Sequence, residues 1–289
     1  MNDFSVNTSL REHQQACLTI LSEFDRVCNE LDIPYYLFAG TLLGCVRHQG
    51  FIPWDDDLDV LMLRKDYDRF LAQADMILNK EKFYLQKEFS EHWPMFFSKL
   101  RLNNTTCLEM YHARDPEEHH GIYIDIFPCD NAARSNWQRK IQFFSSKVVI
   151  AKSLKKRGYQ TNSKKKKLFM AICLLLPQKV FMRMTTNGND DSEYIHTFFG
   201  SAHSFSKNVY PRKLIAKSID AKFENQEYPI PIGYDEMLTT IYGDYTIMPP
   251  EEERSQKKHA VLVDLNNSYE HYHEVHKNMI FENITKSIR

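Results

Sequence analysis

The sequence has no Cys-x-x-Cys pair, no basic-then-apolar leader, no internal repeat and little net charge. Each absence removes a class. Six cysteines, Cys17, Cys28, Cys45, Cys107, Cys129 and Cys173, are scattered along the chain. That spacing argues against a zinc knuckle and for reduced core thiols. The opening MNDFSVNTSLREHQQ does not have the layout of a secretory signal, so the expected location is cytoplasmic. Lys and Arg number 37 against 38 Asp and Glu, a net charge of −1. No overall field draws the chain to nucleic acid. The apolar run Leu168 to Leu176 ends at Pro177, well short of the roughly 20 residues that a membrane-spanning helix needs.

What is present is ample apolar material, 43% hydrophobic and 13% aromatic, and one unusual stretch from Tyr35 to Leu63. Tyr35 to Ala39 reads as a buried strand that Gly40-Thr41 breaks, followed by a short apolar segment, Leu42 to Val46. After Pro53-Trp54 come Asp55, Asp56, Asp57 and Asp59, then apolar Val60 to Leu63. Carboxylates set against a core need a cation, because a buried unpaired anion costs several kcal/mol or more. On a strand, Asp57 and Asp59 point one way while Leu58 and Val60 point to the core. Two such carboxylates suit Mg²⁺ (or Mn²⁺), which leaves coordination positions open for substrate phosphates. The plain alternative is an acidic turn or helix cap.

Three stretches carry a resemblance. They are Ala39 to Gly44 with Arg47 and Ile52 to Asp59; Gly121 to Pro128; and Tyr242 to Tyr245 with Pro249, Pro250, Arg254 and His259. Together they resemble the LicD family, phosphotransferases with a nucleotidyltransferase-like fold to which fukutin-related protein is a distant eukaryotic relative. The matches span roughly residues 15 to 260. The resemblance implies an α+β fold: a nucleotidyltransferase-like mixed sheet flanked by helices, with a mostly helical C-terminal part. It implies a catalytic core over 1–130 and a helical region over 131–289 that completes the pocket. It also implies a CDP-linked donor, CDP-choline in the phosphocholine-transferring members, and a glycan acceptor, teichoic acid or lipopolysaccharide, that is often lipid-linked.

Further candidate residues follow. Asp125 is a lone carboxylate among β-formers, and nucleotidyltransferase folds place a third carboxylate facing the first two; a strand-end cap before Pro128 is the alternative. Catalysis and metal binding are therefore expected of Asp57, Asp59 and Asp125, with Asp55 and Asp56 supporting them from behind. Gly40 admits phosphates close to the backbone, and Thr41 offers its hydroxyl and N–H. Lys99 and Arg101 share a strand face and either clamp the anionic donor or lie on an exposed edge. Arg47 is assigned to donor phosphate by resemblance alone. His119-His120, beside Glu117-Glu118, reads as a solvated loop.

Around these, Leu10 to Leu31 and Lys65 to Leu78 have helical periodicity. Phe83 to Lys87, Met95 to Leu102, Cys107 to Tyr111 and Gly121 to Phe127 read as strands. Trp137 to Leu154 and Tyr234 to Tyr242 read as helices. Arg212 to Phe223 with Pro229 to Pro231 suggests a small hairpin, and the chain after His259 reads as a loose polar tail. Lysines beside Leu168 to Leu176 leave two readings for 152–184: a helix lying in an anionic membrane interface, peripheral at its inner face, or a core helix with a solvated lysine loop. Three function classes stay open: a glycan phosphotransferase placing phosphocholine or another polyol or alcohol phosphate, a nucleotidyltransferase acting on a small molecule or protein, and a non-catalytic binder.

Overall fold

Ser9 starts the fold. Its hydroxyl accepts from the Glu12 N–H while the Glu12 carboxylate accepts from the Ser9 N–H, a capping box that opens α1 (Leu10–Glu30). The expected apolar face of α1, from Cys17 to Cys28, is buried. Phe24 on it packs against Tyr35 and Phe70 at ring separations of 4.9 and 5.0 Å. The structure, a computed structural model, describes residues 8–109, 117–188, 192–200, 204–254 and 260–273.

The strand expected over Tyr35 to Ala39 shrinks to β1 (Tyr36–Leu37). Ala39 takes a left-handed φ of 46°, which turns the chain one residue before Gly40. The apolar segment that follows is helical, α2 (Ala39–His48). Gly44 lets this helix approach the next loop: a Cβ there would lie 2.5 Å from the Gly50 carbonyl oxygen.

Strands β2 (Asp59–Leu63), β3 (Phe83–Gln86), β4 (Ser98–Leu102) and β6 (Tyr123–Asn131) build one sheet with β1, in the order β1-β2-β6-β4-β3. The central pair β2–β6 is parallel and the other pairs are antiparallel. A parallel pair needs a long crossover, and here it carries α3 (Arg64–Gln73), β3, β4 and β5 (Thr106–Glu109). Helices α1 and α3 pack on this sheet. The fold is thus α+β with a mixed sheet flanked by helices, as the resemblance implies.

Beyond β6 come α4 (Asn136–Lys156), α5 (Lys164–Leu175) and α6 (Gln178–Thr186), which pack together. Lys152, half-way down this basic region, is buried. Its ammonium donates to the carbonyls of Cys173, Leu174 and Leu176 at 3.1, 2.8 and 2.6 Å and so caps α5. Strands β7 (Tyr194–His196) and β8 (Val209–Pro211) then extend the end of β6. The expected hairpin is β9 (Ser218–Phe223) with β10 (Gln226–Pro231). Its turn residue Glu224 pairs with Arg11 and accepts from the Phe51 N–H at 3.1 Å. The helix α7 (Tyr234–Tyr242) ends at Gly243, φ 78°.

Two expectations need correction. The first part of the expected loose tail after His259 instead forms β11 (Ala260–Asp264), paired antiparallel with β5; residues 274–289 lie outside the described residues. His259 itself lies outside the described residues, as does Tyr111. The His119-His120 loop is packed rather than solvated. His119 stacks flat on Tyr84 at 4.9 Å and meets Asn103 Oδ1 at 3.0 Å. Burial, with Arg101 nearby, pushes its pKa down to about 3.

Candidate active site

Asp59 is the first residue of β2, and the parallel register sets it beside Asp125 on β6. The next neighbour of Asp125 is Lys99 on β4, and beyond it lies Gln86 on β3. Directly paired residues share a sheet face, so Asp59, Asp125, Lys99 and Gln86 form one row across four strands. Asp57 sits two residues ahead of Asp59, in the segment that leads into β2. Asp59 is buried. Burial first, then Asp57, Asp125 and Asp55, raises its pKa well above the ordinary carboxylate value; Lys99 opposes them. Asp125 is also raised, by burial ahead of Glu109 and Asp57, while Lys99 pulls it back.

The start of α2 abuts this row. Thr41 Oγ1 accepts from the Asp59 N–H at 2.8 Å, and the Phe38 N–H donates to the Asp59 carbonyl at 3.0 Å. The Thr41 hydroxyl therefore holds β2 in place and still has its own proton to donate. A Cβ on Gly40 would meet Asp55 Oδ2 at 3.0 Å, so the backbone here lies close to the carboxylates. Asp56 accepts from the Ala260 N–H at 3.0 Å, anchoring the start of β11.

Lys99 and Arg101 do share a strand side, but it is an interior one, and both are fully buried. Lys99 Nζ is 2.8 Å from Asp125 Oδ1 and 3.5 Å from Glu109 Oε1, and lies 3.1 Å from the centroid of the Tyr123 ring. Arg101 donates to Gln86 Oε1 at 2.6 Å and to the Gly121 carbonyl at 2.8 Å, with Glu118 at 3.6 Å. The cation that links the two carboxylates is Arg157, just past the end of α4: it reaches Glu109 at 2.8 Å and Glu118 at 3.2 Å. Burial would raise the pKa of Glu109, but Lys99, Arg157 and Arg101 outweigh it and hold the group well below the usual range. Sequence reasoning missed Glu109, Glu118 and Arg157. A lone Glu at the end of a β-forming run was the available signal for Glu109; nothing distinguished Arg157 within its basic run.

Arg47, by contrast, is only partly covered. It donates to the Tyr245 carbonyl at 3.1 Å, while its buried Nε has no hydrogen-bond partner among the described residues. Burial lowers its pKa, as does Arg254, while Tyr242 raises it. Arg254 itself lies over the Trp54 ring at 4.9 Å. Tyr242 is raised by burial and by Asp59, Asp55 and Asp57. It is thus an electrostatic neighbour of both the aspartates and Arg47.

A family model described as the LicD/FKTN/FKRP nucleotidyltransferase domain matches residues 32–154. The lipopolysaccharide cholinephosphotransferase LicD of Haemophilus influenzae is 30% identical over 273 residues, covering 88% of this chain and 96% of that protein. The chain belongs to the LicD family. Shorter matches reach uncharacterised proteins of Rickettsia typhi, 41% identical over 51 residues, and Rickettsia prowazekii, 43% over 47. These cover 18% and 16% of this LicD-family chain, and 16% and 18% of the two proteins.

Among the described residues, no three side chains of ligand type already stand as a metal cage. The donor set nonetheless fits a hard cation. Asp59 is buried with no ion pair among the described residues, and the neighbouring carboxylates crowd it. Asp125 differs, because Lys99 already neutralises it.

Proposed function

We propose that this LicD-family enzyme transfers a phospho-substituent, phosphocholine from CDP-choline, to a sugar hydroxyl of a cell-surface glycan such as lipopolysaccharide or teichoic acid. The observation that carries the reading is end-to-end similarity to a relative named as a lipopolysaccharide cholinephosphotransferase, joined to a crowded carboxylate row beside a helix start. Asp57 and Asp59 would hold Mg²⁺, which neutralises charge on the donor diphosphate when bound. Gly40 lets the start of α2 approach those phosphates, where the positive end of the helix favours them. Thr41 offers its hydroxyl proton, and Arg47 Nε, which has no hydrogen-bond partner among the described residues, suits a phosphate oxygen.

Asp125 would take the proton of the attacking sugar hydroxyl as that oxygen bonds to phosphorus and the bond to the departing CMP breaks. A raised carboxyl pKa suits a base working near neutral pH. Lys99, with Glu109 and Arg157 behind it, fixes the orientation of Asp125. Lys99 and Arg101 thereby act on the donor only through other groups.

The test is product analysis with the purified chain, Mg²⁺, a panel of CDP-linked donors and a glycan acceptor. CMP release together with phosphocholine on the glycan supports the reading. Pyrophosphate release would mean nucleotidyl transfer instead, and preference for a CDP-polyol would replace the donor.

A further inference from the structure

Charge along this chain is segregated in a way the total conceals. Residues 131–189 contain fourteen Lys and Arg and no Asp or Glu. The remainder holds 23 basic against 38 acidic residues, a net −15. Of the fourteen, Lys152 and Arg157 are used internally. Lys155, Lys156 and all of Lys164 to Lys167 are exposed.

The same segment exposes apolar side chains at helical spacing. On α4 they are Trp137 (64% exposed), Ile141 and Phe144 (57%), at i, i+4 and i+7. On α5 they are Leu168 (64%), Ile172 (51%) and Leu175 (87%), with the same spacing. Helix α6 repeats the pattern over one turn. The opposite side of α5 is the one that packs inward: Met170 and Cys173 meet Val148 and Ala151 of α4. An amphipathic helix normally buries its apolar stripe; these helices leave theirs outside. Scattered exposed apolar residues are ordinary, but grouped ones mark an interaction surface.

We infer that α4, α5 and α6 form a docking face for an anionic lipid bilayer. A partner with a negative surface and an apolar interior matches lysines set beside apolar stripes. The helices would lie in the interface rather than cross it. Helix α5 is about 18 Å long and α6 about 14 Å, against an apolar layer of about 30 Å. The pair passes for a span by length and composition only when joined, and it is bent by 98°. The face is also rigidly tied to the candidate site, since Arg157 at the end of α4 grips Glu109 and Glu118 behind Asp125.

Flotation of the full chain with vesicles tests this. Expected is binding to phosphatidylcholine vesicles containing roughly a third phosphatidylglycerol and none to phosphatidylcholine alone, with release at about 0.5 M salt. Each lysine near such a surface contributes about fivefold. Changing Lys164 to Lys167 to Gln should therefore lower partitioning more than tenfold, and L168N/L175N should weaken it at unchanged charge. Trp137 emission should shift to the blue on anionic vesicles and not in W137F. Equal behaviour with both vesicle types, or no binding, overturns the proposal; this comparison uses wild-type protein and stands even if a variant misfolds. A dimer in sedimentation velocity that L168N/L175N dissolves, without lipid dependence, would assign the face to a second copy and also overturn it. Transfer activity enters none of these readouts.

Discussion

Replacing Lys99 with Met removes the one cation within ion-pair distance of Asp125 among the described residues, at 2.8 Å. Glu109 keeps Arg157 at 2.8 Å and so stays neutralised. The loss therefore falls on Asp125, a largely covered carboxylate (side chain 14% exposed) left alone. Breaking a buried pair from one side costs about 3–5 kcal/mol; with Glu109 still compensated, the lower end applies, about 3 kcal/mol. At about 2–4 °C per kcal/mol, the melting temperature should fall by about 6–12 °C. The pH dependence has a definite sign. The folded-state pKa of Asp125 is raised, by burial first. The stability linked to that proton is fully present below the unfolded carboxylate pKa and lost as pH rises through the folded value. Without Lys99 the folded value rises further, so the deficit against wild type should be small near pH 4 and largest at neutral pH. K99M/D125N should recover most of the loss, because no uncompensated charge remains. Thermal and denaturant melts of the four proteins measure the cycle. A K99M protein within about 1 kcal/mol of wild type at neutral pH would refute the assignment of Lys99 as the partner of Asp125.

Asp59→Asn should separate stability from function. Its raised pKa in the folded, metal-free chain is a penalty at neutral pH, so the variant should melt higher, by about 1–2 kcal/mol, while turnover falls at least about a hundredfold; added Mg²⁺ should stabilise wild type and not the variant, and a lower melting point without metal would contradict this. Arg47→Ala should cut kcat/KM by about tenfold to a hundredfold with little change in melting temperature, since among the described residues its side chain donates one hydrogen bond to the fold, to the Tyr245 carbonyl; unchanged kinetics would remove it from the donor site. Gly44→Ala should destabilise by about 1–3 kcal/mol, because a Cβ would sit 2.5 Å from the Gly50 carbonyl oxygen; a melt at the wild-type temperature would show that the loop yields.

Periodicity carried much of the fold. The buried faces of α1 and α3 were legible because their apolar side chains repeat at the helical period. The stretch Leu42 to Val46 was ambiguous, since a short apolar run suits strand or helix alike, and a left-handed Ala39 decided it. Strand β11 was hidden because the pairing with β5 joins residues some 150 apart. At the site, alternation predicts Asp57 and Asp59 on one strand face; β2 starts at Asp59, and Asp57 lies in the segment before it. The Asp59–Asp125 register is a tertiary fact that no local pattern contains. The same holds for Lys99 and Arg101: their shared face was readable, but that it faces Glu109 and Glu118 rather than a donor was not.

The most direct measurement is Mg²⁺-dependent transfer by wild type, Asp57→Ala and Asp59→Ala, with CDP-choline as donor and CMP as the quantity read. Wild type should release CMP only with the metal and the glycan acceptor both present, and each variant should fall to background while keeping a cooperative melt. Transfer that survives chelation of the metal, or persists in both variants, would contradict the account.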